Sequence, residues 1–310
     1  MNKFLTFALI LIATLTTTTV SAQQDPLYSQ HMYNKLPLNP AYAGSRDAIS
    51  ATALYRRQWI GFPGAPNTGT FSLHSPLANR KLALGMNVTT DEHGITNNSA
   101  VSGQFAYRIP TNEGHLSFGL QASVNNFRVS LASATSAVDY DPSLTADVNR
   151  FLGNAGAGIY YATETYYIGA SIPNLIENTL SEVQVGNVTA EQSRHYYAMG
   201  GYVFDINRTV KVRPTVLVKY VDNAPIQADL GVAVLLQEKV WVGGQFRTMG
   251  AMDVMVEYQA TESMRVGYSY GQQLGAIGMN SFGSHEVLVG FDIATKSSRK
   301  PKKGSIRCFF

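Results

Sequence analysis

Six histidines, one cysteine and the triplet Ser284-His285-Glu286 are the residues of this chain with chemistry to offer. A Ser–His–acid relay needs the three side chains within hydrogen-bond reach of one another. Successive side chains on a strand point to opposite faces, so His285 turns away from both neighbours and the triplet builds no relay. Among His31, His74, His93, His115, His195 and His285 no two stand at metal-ligand spacing, and there is no HExxH, GxSxG or phosphate-binding loop. Cys308 is alone, which excludes a disulfide scaffold or a cysteine-ligated metal. The expectation is a protein that is not an enzyme, with no catalytic, cofactor-binding or metal-binding residues. An outer-membrane hydrolase would need a Ser–His–acid cluster at one rim, and the sequence offers none.

What must position these residues is a chain of 310, with 45% hydrophobic and only 15% charged residues, 17 Tyr and 27 Gly. Charged residues usually make up about a quarter of a soluble domain. Residues 1–22 read as a secretory signal: Lys3, an apolar stretch from Phe4 to Leu15, and a small-residue cleavage site at Val20-Ser21-Ala22. That stretch is too short for a spanning helix, and no other segment approaches the necessary length. The net charge of +3 is concentrated in residues 296–310, which carry Lys296, Arg299, Lys300, Lys302, Lys303 and Arg307 and no acid. A nucleic-acid binder should carry its basic charge on a folded face, so this tail argues against one.

From Ala48 the hydropathy alternates with period two. Leu116, Phe118, Leu120, Ala122 and Val124 interleave with Ser117, Gly119, Gln121, Ser123 and Asn125. Fourteen such runs are expected, at roughly 48–59, 67–76, 81–91, 96–109, 114–129, 154–162, 165–173, 194–205, 209–221, 225–236, 239–248, 251–260, 263–271 and 285–295. Most have the length of a tilted membrane strand. The fold class is therefore all-β: a transmembrane antiparallel β-barrel of about 14 strands, spanning 48–295. Before it, residues 23–47 form an N-terminal arm, read as a lumenal plug, a periplasmic docking arm or a loosely packed leader. After it comes the basic tail, 296–310.

The connections alternate in length as an outer-membrane barrel requires. Short turns fall near 77–80, 110–113, 163–164, 205–208, 237–238 and 260–262, and the opposite phase holds the long segments 130–153, 174–193 and 272–284. An even strand number places the two termini together on the periplasmic side. Tyr160-Tyr161, Tyr166-Tyr167 and Tyr196-Tyr197, with Trp59 and Trp241, suit interfacial aromatic girdles. Pro214 removes a ladder donor and marks a local distortion. Charges on the polar face, among them Arg56, Arg213, Asp229, Asp253, Glu286 and Asp292, have both signs, as expected of a lumen.

Gln24-Asp25-Pro26-Leu27-Tyr28-Ser29-Gln30-His31-Met32 and Leu38-Asn39-Pro40-Ala41-Tyr42-Ala43-Gly44 open the chain, and Tyr55-Arg56-Arg57-Gln58-Trp59 with Gly64-Ala65-Pro66 follow. Asp91-Glu92-His93-Gly94, Arg194-His195-Tyr196-Tyr197, Lys211-Val212-Arg213-Pro214-Thr215, Gly267-Tyr268-Ser269-Tyr270 and Gly283-Ser284-His285-Glu286 come later, with Arg307-Cys308-Phe309 at the end. This ordered set resembles the PorP/SprF family of the Bacteroidetes type IX secretion system. The positions that carry it are Asp25, Pro26, Asn39, Pro40, Gly44, Arg57, Gln58, Trp59, Ser284, His285 and Glu286. Gly271 departs from the aspartate expected there. The resemblance implies an integral outer-membrane barrel that serves protein secretion. Its partners would be type IX secretion substrates, or the C-terminal domain of a surface adhesin used in gliding motility, together with periplasmic secretion-ring components and outer-membrane lipids. No cofactor and no nucleic acid are implied. The rival reading is a passive outer-membrane channel or a transporter of small hydrophobes.

Overall fold

The computed structural model describes residues 28–131, 147–185, 188–248 and 250–294, with no side-chain description for 181–190, 276 and 277. The expected signal segment, Asp25, Pro26, the basic tail and Cys308 lie outside these residues. Among the described residues no helix is long and apolar enough to cross a membrane; strands are the crossing elements.

The strands are β1 (Ile49–Arg57), β2 (Asn67–Pro76), β3 (Leu82–His93), β4 (Thr96–Pro110), β5 (Gly114–Val129), β6 (Val148–Thr163), β7 (Tyr166–Ile172), β8 (Thr179–Val185) and β9 (Val188–Glu191). They continue with β10 (His195–Tyr202), β11 (Phe204–Asp205), β12 (Val210–Val221), β13 (Gln227–Leu236), β14 (Val240–Arg247), β15 (Ala251–Gln259), β16 (Met264–Gln273) and β17 (Ser284–Ile293). Each of β1–β7, β10 and β12–β17 pairs with its sequence neighbour in this set, and β1 pairs antiparallel with β17 from Ile49↔Ile293 to Arg57↔His285. The sheet is thus a closed fourteen-stranded antiparallel barrel, with β11 continuing β10. Closure leaves no edge, the condition for a sheet in hydrocarbon.

Period-two alternation sorts the side chains. Outside lie Leu84, Val101, Phe118, Leu120, Val124, Ile168, Leu230, Val232 and Val254, all exposed. A continuous apolar surface of this kind belongs in lipid, not water. Inside lie Arg56, Arg108, Arg213, Lys219, Asp229, Asp253, Glu257, Arg265 and Glu286, each at most 5% exposed. Six connections at one end, 77–81, 111–113, 164–165, 206–209, 237–239 and 260–263, are short, and the long ones gather at the other. Gln237 and Glu238 both have positive φ, at 52° and 56°, in a tight turn whose twist matches the strands it joins.

Several expectations need correction. β6 begins at Val148, six residues earlier than the hydropathy indicated, and the 174–193 connection contains a separate β8–β9 hairpin. The tyrosine pairs do not all lie in girdles: Tyr160, Tyr167 and Tyr197 point inward and are at most 4% exposed. Neighbouring strand residues face opposite ways, so only one of each pair can reach lipid. Tyr161, Tyr166 and Tyr202 do cluster outside near the short-turn end, with Phe204 against Tyr202. Trp241 also faces inward, at 2% exposure. Pro214 keeps its place in the β12–β13 register, and the break falls on its other side, where Val203 separates β10 from β11.

Candidate functional site: a stoppered lumen and its rim

Residues 28–47 lie within the ring, and nearly all of them are buried. They lack strand periodicity and fold as two short 3-10 turns, Ser29–Met32 and Pro40–Tyr42. Their contacts run from the long-loop end to the short-turn end. Tyr28 hydrogen-bonds Thr70 on β2, and Asn34 Nδ2 donates to Ser72 Oγ at 2.9 Å. Arg46 binds Asp292 at the far end of β17, and Arg108 near the end of β4 donates to Asp47. The segment therefore threads the lumen lengthwise before turning into β1. The first described residue, Tyr28, lies towards the long-loop end, while β17 finishes at the other; the termini themselves lie outside the described residues.

The upper anchor centres on Glu286. Its carboxylate accepts the backbone N–H of Gln30 at 2.7 Å and of Ser29 at 3.0 Å, and an Arg56 N–H at 3.0 Å. Ser29 Oγ donates to Asp253 at 2.8 Å. Glu286 and Arg56 are out of water but paired with each other and hydrogen-bonded to the stopper, which makes their burial tolerable. In the middle, Arg213 stacks between Tyr33 and Trp241, 5.1 and 4.2 Å from the ring centroids. Lys35 donates to Met32 O at 2.9 Å and stands 4.5 Å over the Tyr167 ring. His31 Nδ1 pairs with Tyr28 O at 3.1 Å. At the lower anchor Asp292 takes Arg46 and Arg265 at 2.6 and 2.7 Å.

Glycines on the wall make room for the stopper. Asn39 Nδ2 donates to Ile159 O at 3.0 Å while its Oδ1 caps the second turn through Ala41 N. A Cβ on Gly158 would stand 2.2 Å from Asn39 Oδ1, and one on Gly119 2.1 Å from Ala41 N. Gly44 has φ of 74°, a left-handed conformation that glycine adopts without strain. Its N–H donates to His74 at 3.1 Å.

The positions singled out from sequence fall into two groups. Asn39, Pro40 and Gly44 sit in the lower stopper. Arg57, Gln58 and Trp59 meet Ser284, His285 and Glu286 where β1 pairs with β17: Arg57 is opposite His285, and Trp59 N donates to Ser284 Oγ at 3.3 Å. Ser284 and Glu286 face inward, while His285 faces out and pairs with Tyr268 Oη at 2.7 Å. The departure at Gly271 has a local reason, because the Asp253 carboxylate stands 2.1 Å from where a Cβ there would be. Ser29, Gln30, Arg46 and Asp292 were missed as site residues. Their signal was the burial of charge opposite a non-periodic segment.

Comparison with known proteins follows the same lines. The profile of a family described as the type IX secretion system membrane protein PorP/SprF matches residues 20–291. No curated protein matches the chain. Among solved structures, the CymD monoaromatic hydrocarbon channel is similar with a TM-score of 0.51 at 10% identity, covering 86% of this chain and 92% of that one. A deltaS2S3 mutant of TodX, another monoaromatic hydrocarbon channel, gives 0.50 at 10% identity, with 84% and 94% covered. At such identity the likeness speaks for the fold, an outer-membrane barrel.

Proposed function

The chain belongs to the PorP/SprF family of type IX secretion system membrane proteins, and from that premise we propose that it is a non-enzymatic binding and anchoring component of the outer membrane. Its long-loop end holds a secreted surface protein, such as the C-terminal domain of a gliding adhesin. Its short-turn end, where β17 finishes, faces the periplasm and the secretion machinery. Recognition is non-covalent.

One observation carries this reading: residues 28–47 run the length of the lumen and are tied to the wall at both ends. A stoppered barrel offers partners its rims and not a through-passage. The passive-channel reading has the same fold but needs an open lumen, and a small hydrophobe would have to cross a surface of buried charges and amides. Desolvating such groups without replacing their hydrogen bonds costs about 1–3 kcal/mol each.

The test is affinity capture of the tagged full-length protein from a detergent extract of its own cells. A large surface protein or periplasmic ring components should co-purify. Recovery of lipopolysaccharide and porins alone would overturn the reading, as would steady single-channel current from the intact protein in a planar bilayer.

A further inference from the structure

The lumen is chemically divided. The stopper's ion pairs, Arg46 with Asp292 on β17 and Asp47 with Arg108 on β4, lie towards the short-turn end, whereas the stretch of the β3–β6 wall around Asn87, Gln121, Asn125 and Asn154 carries amides and hydroxyls. There, between stopper and wall, lies a cavity of about 110 Å³. Its wall is built from Asn87, Asn98, Gln121, Ser123, Asn125 and Asn154, its floor from Tyr28, Pro37 and Leu38, and no charged residue lines it. Asn174, Gln192 and Tyr197, from the β7–β10 side, complete it towards the long-loop end.

We infer that this cavity is a binding site for a neutral polyhydroxylated ligand, a single saccharide unit presented from the long-loop end. Amides and hydroxyls both donate and accept, as a sugar hydroxyl does, so they satisfy it in either sense. Without a carboxylate or a cation, the site has no preference for metal ions or anionic groups. A small apolar ligand would leave several amides unpaired, at a cost that its burial does not repay. Tyr28 and Tyr197 supply aromatic surface for the C–H face of a sugar ring. The volume holds on the order of seven water molecules, the scale of one ring and too little for a folded peptide segment.

The walls are also held in place. Gln104 Nε2 donates to Gln121 Oε1 at 3.1 Å, and Gln121 Nε2 to Pro173 O at 3.3 Å. Asn154 clamps the β7–β10 connection, donating to Ile176 O at 2.8 Å and accepting from Ile176 N at 2.9 Å. In contrast, the amide oxygens of Asn98 and Asn125 have no donor within the protein. Pre-organised amides beside uncommitted acceptors are what a polar ligand requires.

The inference rests on the barrel and its stopper and not on the secretion reading, so either can fail alone. The test uses full-length protein in a detergent without a sugar headgroup, with side-chain amides of Asn and Gln labelled for NMR. Maltose, lactose and N-acetylglucosamine are titrated singly, with toluene and acetate as controls. Saturable shifts of a few Asn and Gln side-chain signals with at least one sugar are expected, weakened about tenfold in Asn125→Leu and in Ser123→Val and retained in Gly103→Ala. A further arm with polysaccharide released from lipopolysaccharide separates a membrane-borne glycan from a free sugar. No saturable response to any sugar or to the polysaccharide, an equal response to toluene or acetate, or unchanged affinity in both cavity variants would overturn the assignment.

Discussion

Glu286, on the last strand, receives the backbone N–H of Gln30 at 2.7 Å, although 256 residues separate them in the chain. With Arg56 and Ser29 on the same carboxylate, this contact binds the stopper to both strands of the β1–β17 pair.

Replacing Glu286 with Gln removes the charge and leaves Arg56 buried without its counter-ion. Breaking one side of such a pair costs about 3–5 kcal/mol. Glu286→Gln is expected to lower the urea midpoint of the barrel in micelles by a corresponding amount, and to speed amide exchange in residues 28–36 before that of the strands.

Asp292→Ala removes the lower anchor, leaving Arg46 and Arg265 without their shared carboxylate. The loss should again be about 3–5 kcal/mol. Exchange should rise first at residues 40–47, the opposite end of the stopper from the Glu286 variant.

Gly158→Ala places a methyl group 2.2 Å from Asn39 Oδ1, whereas a Cβ on Gly103 meets nothing within 4 Å. Overpacking of this kind costs about 1–3 kcal/mol. Gly158→Ala should therefore loosen the stopper and admit intermittent current in planar bilayers, while Gly103→Ala matches the parent in both stability and current.

Deleting residues 28–43 removes most of the stopper but leaves Arg46 and Asp47. If that segment closes the lumen, the deletion should conduct steadily and the parent should not. Equal conductance in the two would show that the stopper does not set permeability.

Much of the wall was legible in the sequence because a strand writes its two faces as alternation. All fourteen barrel strands stood where the hydropathy alternates, and inward charges such as Arg213 and Glu286 were identifiable. The aromatic pairs misled because composition near a strand end does not say which face a ring takes; Trp241 went to Arg213 and not to lipid. The stopper was harder. Its two short turns have no period, and Ser29 alone has partners 27, 224 and 257 residues away along the chain. The β8–β9 hairpin escaped notice because it stands outside the ring, paired only with itself.

The stopper also constrains how the molecule can be assembled. It leads straight into the first strand, and Glu286 and Asp292, the carboxylates that grip it, belong to the last. Neither grip exists until β17 arrives, and once β17 has zipped onto β1 the segment is already enclosed. Sealing the cylinder and loading its bore are therefore a single step of biogenesis, and a chain that inserts without residues 28–47 seated must finish as a hollow and less durable vessel.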